Sequence, residues 1–188
     1  MRTEDKGPRT RQAERLGMTY QDLVRLFFES NSAQRASTGE IPEEAHWQAV
    51  ADTLGVSREE AGRIITEFFA GDRPNASLIA FLHRMRPERK VGLISNAWSG
   101  LRAYLISQNF EDLFDEMVIS AEVGVMKPDP RIYHLALESL GVLPEESVFL
   151  DDLLINVEAA RNVGMNAIHF TQPENTLDEL KLLLNHHR

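Results

Sequence analysis

Val148-Phe-Leu-Asp-Asp152 is a short apolar run that ends in two adjacent carboxylates. An unbroken apolar run of that length suits a buried parallel strand. Neighbouring carboxylates at its carboxyl end repel one another unless a cation sits between them or one stays protonated. Hard oxygen ligands, few in number, suit Mg²⁺. Upstream, Val91-Gly-Leu-Ile-Ser95 has the same form and delivers Ser95 and Asn96, uncharged groups able to hold a phosphoryl oxygen. Between them lies Val125-Met-Lys-Pro-Asp129. Pro128 pushes Lys127 toward an extended conformation and suits the first turn of a helix running through Tyr133 and Leu137, which projects the Lys127 ammonium over the strand ends. Open parallel sheets bind ligands outside the carboxyl ends of their strands, so all three segments are expected to converge on one crevice.

Taken singly, each segment has a plainer reading. Ser95-Asn96 is ordinary turn chemistry. Asp151-Asp152 suits the cap of a helix that starts near Asn156. Lys127 is a lysine near a helix start, a residue type that is mostly exposed. The order of the segments, the two apolar strands and the intervening helical patterns agree with one another, and that consistency outweighs any one match.

Together these residues resemble the haloacid dehalogenase-like hydrolase superfamily, specifically its phosphatase branch with a small helical cap. The resemblance covers about residues 17–171 and is densest in Ala121-Glu-Val-Gly-Val-Met-Lys-Pro-Asp-Pro130 and from Phe149-Leu-Asp-Asp152 through Asn156 and Gly164-Met165. The chain is similar as well to the amino-terminal phosphatase-like domain of soluble epoxide hydrolases and to bacterial sugar-phosphate phosphatases. The resemblance implies that Ser95 and Asn96 contact the transferring phosphoryl group and that Lys127 neutralises it. Asp152 would bind Mg²⁺ with Asp151 in support, and Asn156 would stand behind the metal loop.

One departure from the family bears on activity. Family members open with an apolar strand ending in Asp-x-Asp, whose first aspartate attacks phosphorus and whose second serves as acid and base. Here residues 1–10 are Met1-Arg-Thr-Glu-Asp-Lys-Gly-Pro-Arg-Thr10, a polar stretch in which Asp5 is the one aspartate. The expectation is therefore a hydrolase by descent, of the Mg²⁺-dependent type acting on small phosphate esters, with little or no turnover in this chain. The alternative is a non-catalytic module that binds phosphate or another protein. A further reading is a truncated form of a longer product.

The absent strand would lie between the strands ending at Ser95 and Asp151. Its slot would be closed by direct pairing of the flanking strands, filled by the amino-terminal segment, or completed by another chain, which would make a homo-oligomer through the altered sheet. Closure is the expected outcome, because residues 1–16 have poor strand composition.

Composition agrees with a compact protein. In 188 residues, 43% are hydrophobic and the formal net charge is −9, which disfavours nucleic acid and anionic membrane as partners. There are no cysteines, so disulfides and thiolate metal sites are excluded. No apolar run is long enough to span a bilayer and no signal peptide is seen, so a cytoplasmic location is the default. The histidines 46, 83, 134 and 169 lack ligand spacing.

The expected organisation is a polar arm over 1–16, a helical cap over 17–72 and a Rossmann-like core over 73–188. In the cap, helices are expected over 19–30, 43–54 and 57–69, the last opened by Ser57-Arg-Glu-Glu60 in capping-box form, with a polar connector over 32–41. From residue 75 onward, helical patterns alternate with the strands at 91–95, 117–120, 148–150 and 167–170. Such alternation predicts an α/β, doubly wound parallel sheet, and the resemblance implies that its central first strand is missing.

Overall fold

The structure, a computed structural model, describes residues 2–3 and 5–186. It divides into two compact units, Met1–Asn75 and Ala76–Arg188. The first contains β1 (Arg2–Thr3), α1 (Gly7–Arg15), α2 (Tyr20–Phe28), α3 (Asn31–Ser37), α4 (Glu43–Leu54), α5 (Arg58–Phe69) and β2 (Asp72–Arg73). The second contains α6 (Ala76–Met85), β3 (Gly92–Ser95), α7 (Leu101–Ser107), β4 (Glu116–Ile119), α8 (Ser120–Val123), α9 (Pro130–Leu140), β5 (Val148–Asp151), α10 (Leu154–Asn162), β6 (Asn166–His169) and α11 (Pro173–His186). No helix among the described residues is long and apolar enough to cross a membrane.

The first unit is a helical assembly around Ala13, Leu23, Phe27, Val50, Ile64 and Phe68. Residues 7–15, expected as part of a polar arm, instead form α1, which packs on α2 and α5. Pro8 suits the first turn, where its missing N–H costs nothing. Arg9 is buried and its guanidinium donates to both oxygens of Asp72 at 2.9 Å, while Nε donates to Phe68 O at 3.2 Å. Its Cζ also lies 4.2 Å from the Phe68 ring centroid. The connector expected over 32–41 likewise contains a helix, α3, because Ser30 Oγ accepts from Ala33 N and Ala33 and Ala36 are small enough to bury that face.

His46 on α4 is fully buried, with Nδ1 2.9 Å from Ser32 Oγ. Burial is the main influence on its pKa and holds it below the ordinary 6.5, against the opposing effects of a Phe27 main-chain bond and Glu43. An unfolded chain takes up this proton as pH falls through about 6.5, whereas the folded protein resists it until lower pH. The His46 contribution is thus complete above that value and declines below it. Thermal unfolding should show a lower Tm at pH 5.5 than at pH 7.5, with a smaller difference in His46→Asn. An equal difference in the variant would refute the assignment.

In the second unit, β3 pairs with β4 and β5 with β6, both in parallel. Helices cover both faces, as in a doubly wound sheet: one apolar cluster joins Ile94, Val118, Phe149 and Ala167 to Tyr133 and Val157 of α9 and α10. A second joins Val148, Leu150 and Ile168 to Phe81 and Leu180 of α6 and α11.

The sheet is not continuous. β3 and β5 do not pair with each other, so the expected closure of the gap does not occur. The amino-terminal strand β1 pairs antiparallel with β2 within the first unit. The physical reason is a filled core beneath the two ladders. Tyr133 and Phe149 meet edge to face at 5.3 Å, and Ile94 packs on the same cluster, so sliding one ladder toward the other would disrupt close packing.

Candidate functional site

The carboxyl ends of β3 and β5 are joined by Lys127. Its ammonium donates to Asp151 Oδ2 at 2.6 Å and to Ile94 O at 3.0 Å, and lies 5.5 Å from the Phe149 ring centroid. The side chains of this ion pair are only 10% and 6% exposed. Val125, buried in the core, anchors the segment, and α9 begins directly after it. Asp129 caps α9 by accepting from Arg131 N at 2.9 Å. The Arg131 guanidinium, and then the main-chain bond, hold the Asp129 carboxyl down to about 2.

Asn96, expected beside the phosphoryl group, uses both ends of its side-chain amide on Lys127. Nδ2 donates to Lys127 O at 2.8 Å and Oδ1 accepts from Lys127 N at 2.7 Å. The contact fixes the lysine main chain against the end of β3. Ser95 is half-buried at that strand end, and its hydroxyl has no hydrogen-bond partner among the described residues.

The two carboxylates at the end of β5 differ. Asp151 is buried and both its oxygens are engaged: Oδ2 by Lys127, and Oδ1 by Leu153 N at 2.9 Å and Asn156 Nδ2 at 3.0 Å. Asp152 is exposed, and its carboxylate has no partner among the described residues. His169 Nε2 lies 3.0 Å from Asp152 O and holds the main chain there.

Sequence reading did not single out two of the supporting side chains. Tyr133, fully buried on α9, donates its hydroxyl to Asn156 O at 2.9 Å. Burial, and then the Asp151 charge, push its phenol up to about 12, so it remains a neutral donor at physiological pH. Ser120 Oγ accepts from Ala97 N at 3.0 Å and holds the loop after Ser95 against β4. A tyrosine or serine on a core-facing position reads as packing; only its distance to the site marks it.

Ser95, Asn96, Lys127 and Asp151 are thus brought together at the strand ends, with Asp152 next to them. The model of the haloacid dehalogenase-like hydrolase family matches residues 4–164. The chain belongs to that family. Among its relatives, the pig bifunctional epoxide hydrolase 2 is 38% identical over 89 residues, 47% of this chain and 16% of that protein. The chain therefore spans under a fifth of that relative's length. A sesquiterpene phosphatase from Aspergillus oryzae is 27% identical over 157 residues, covering 82% of this chain and 80% of its own. Among solved structures, a haloacid dehalogenase family enzyme from Bacteroides thetaiotaomicron, in complex with magnesium and inorganic phosphate, superimposes with a TM-score of 0.73. That match is at 20% identity and covers 91% of this chain and 90% of that one. At that identity the likeness shows the fold alone, the α/β haloacid dehalogenase fold.

Proposed function

We propose that the carboxyl ends of β3 and β5 form the phosphate-ester site of a Mg²⁺-dependent phosphatase, complete except for the attacking and acid-base carboxylates. The observation that supports this is the Lys127 ammonium held between Ile94 O and Asp151 beside the unengaged groups of Ser95 and Asp152. Ser95 donates its hydroxyl to a phosphoryl oxygen, Asn96 contributes through its main-chain N–H while its side chain positions Lys127, and Lys127 offsets the phosphoryl charge. The substrate class is small phosphate monoesters.

The donors present suit Mg²⁺ in kind. No group of three His, Cys, Asp or Glu side chains among the described residues forms a metal cage. Mg²⁺ needs none, because it commonly binds through one or two carboxylates together with water and substrate phosphate. Asp152 would hold it, and Asp151 would keep the loop in place. When bound, the ion supplies charge stabilisation for the phosphoryl oxygens.

The Asp5 carboxylate is engaged locally: its Oδ1 accepts from Gly7 N at 2.7 Å, beside the start of α1. This chain is accordingly a binding-competent, hydrolysis-deficient member of its family.

Titration calorimetry with inorganic phosphate tests the reading. Phosphate should bind measurably with Mg²⁺ and at least about tenfold more weakly without it, a difference of about 1.4 kcal/mol. Asp152→Asn should remove the dependence on Mg²⁺, and Ser95→Ala should weaken binding at a fixed Mg²⁺ concentration. Phosphate affinity that ignores both substitutions would place the site elsewhere.

A further inference from the structure

His169 ends β6 and is half-buried. Side chains alternate along a strand. Ala167 belongs to the apolar cluster shared with α9 and α10 and Ile168 to the cluster shared with α6 and α11, so His169 stands on the side of α9 and α10. From there Nε2 lies 3.0 Å from Asp152 O, in the loop that enters α10. A carbonyl oxygen only accepts, so Nε2 carries the proton and donates.

The same peptide unit is held at its other end as well. Leu153 N donates to Asp151 Oδ1 at 2.9 Å. A peptide unit is planar, so bonds to its carbonyl and to its N–H together fix its orientation. One residue earlier, Asp151 O accepts from Phe170 N at 2.8 Å. The Cα of Asp152 therefore sits between two peptide units that are both tied down, one to Phe170 and the other to His169 and Asp151. The Asp152 carboxylate is exposed and has no partner of its own among the described residues, so the direction in which it leaves the chain is set by the main chain.

We infer that His169 is a positioning residue for the metal ligand: by holding the Asp152–Leu153 peptide it aims the Asp152 carboxylate at the place where Mg²⁺ binds. The inference rests on the phosphate reading above and adds to it a side chain that acts from behind the ligand. Mg²⁺ demands nearly ideal ligand geometry, which makes it sensitive to such support. Partners that orient a metal ligand commonly carry about 10–100-fold in affinity. No ligand spacing marks His169 in the sequence, and none is needed for a group that acts through the main chain.

Calorimetry on the full chain tests it, with Mg²⁺ titrated at a fixed phosphate concentration. His169→Leu should weaken Mg²⁺ binding at least about tenfold and leave phosphate binding without Mg²⁺ unchanged. His169→Gln, whose side-chain amide offers a donor at a similar reach, should recover most of the loss. A role confined to holding β6 on β5 would lower Tm in the variants without changing Mg²⁺ affinity, so thermal unfolding is measured alongside. Mg²⁺ affinity in His169→Leu within about twofold of the unchanged chain, or no recovery in His169→Gln, would overturn the inference and leave the phosphate reading standing. Phosphate binding that ignores Mg²⁺ in the unchanged chain would overturn the phosphate reading, and the inference with it.

Discussion

Lys127→Ala is expected to destabilise the second unit by about 3–5 kcal/mol, the range seen when one partner of a buried ion pair is removed. The estimate applies because both side chains are nearly excluded from solvent. After the change, Asp151 keeps its bonds from Leu153 N and Asn156 but loses its counter-charge in a place where water cannot replace it. A total stability of about 5–15 kcal/mol makes that a large fraction of the whole. Urea unfolding followed by circular dichroism measures it. The double variant Lys127→Met with Asp151→Leu separates the pair from its members: replacing both charges with apolar groups is often neutral or stabilising, so most of the loss should be recovered. A Lys127→Ala loss under about 1 kcal/mol would mean that the contact behaves as a solvated surface pair.

The second large effect is on turnover. An ordinary enzyme runs at about 10 s⁻¹, and nucleophile removal costs about 10⁶-fold in turnover where it has been measured. With p-nitrophenyl phosphate and saturating Mg²⁺, the expected rate for this chain is therefore about 10⁻⁵ s⁻¹. Asp5→Asn should leave it unchanged, because that carboxylate is engaged at the start of α1. Turnover of order 1 s⁻¹ would reveal an attacking group the proposal omits, and its loss in Asp5→Asn would identify it.

Both expectations rest on residues that stand out in the sequence. Val148-Phe-Leu-Asp-Asp152 and Val91-Gly-Leu-Ile-Ser95 are recognisable because buried parallel strands are short apolar runs and because chemistry collects where they end. The helix over 43–54 was equally plain, with Glu43 and Glu44 in its first turn and Gly55 in the left-handed conformation after its end. The helix α1 was hidden for the opposite reason. Its inward residues include Arg9 and Gln12, which count as polar in any pattern but are buried through Asp72 and Glu67, partners more than fifty residues away in sequence. Within the site, the resemblance sets Asp152 apart as the metal ligand with Asp151 in support, but no local pattern shows the division of labour between them. Asp151 and Asp152 are chemically identical in the sequence, and only the structure shows one locked by Lys127 and Asn156 and the other facing solvent. That β3 and β5 do not pair with each other escaped because pairing depends on the packing of α9 and α10 on the strands, which no local pattern encodes.

The split between the ladders also bears on how the molecule assembles. Gly92 finds Glu116 across α7 and a 3₁₀ turn over Glu111–Leu113, and Val148 finds Asn166 across α10 alone. Pairings so close along the chain lose little loop entropy, so each half is expected to zip early and independently. The meeting of the two halves is then secured by Lys127, the one side chain among the described residues that bonds to both β3 and β5.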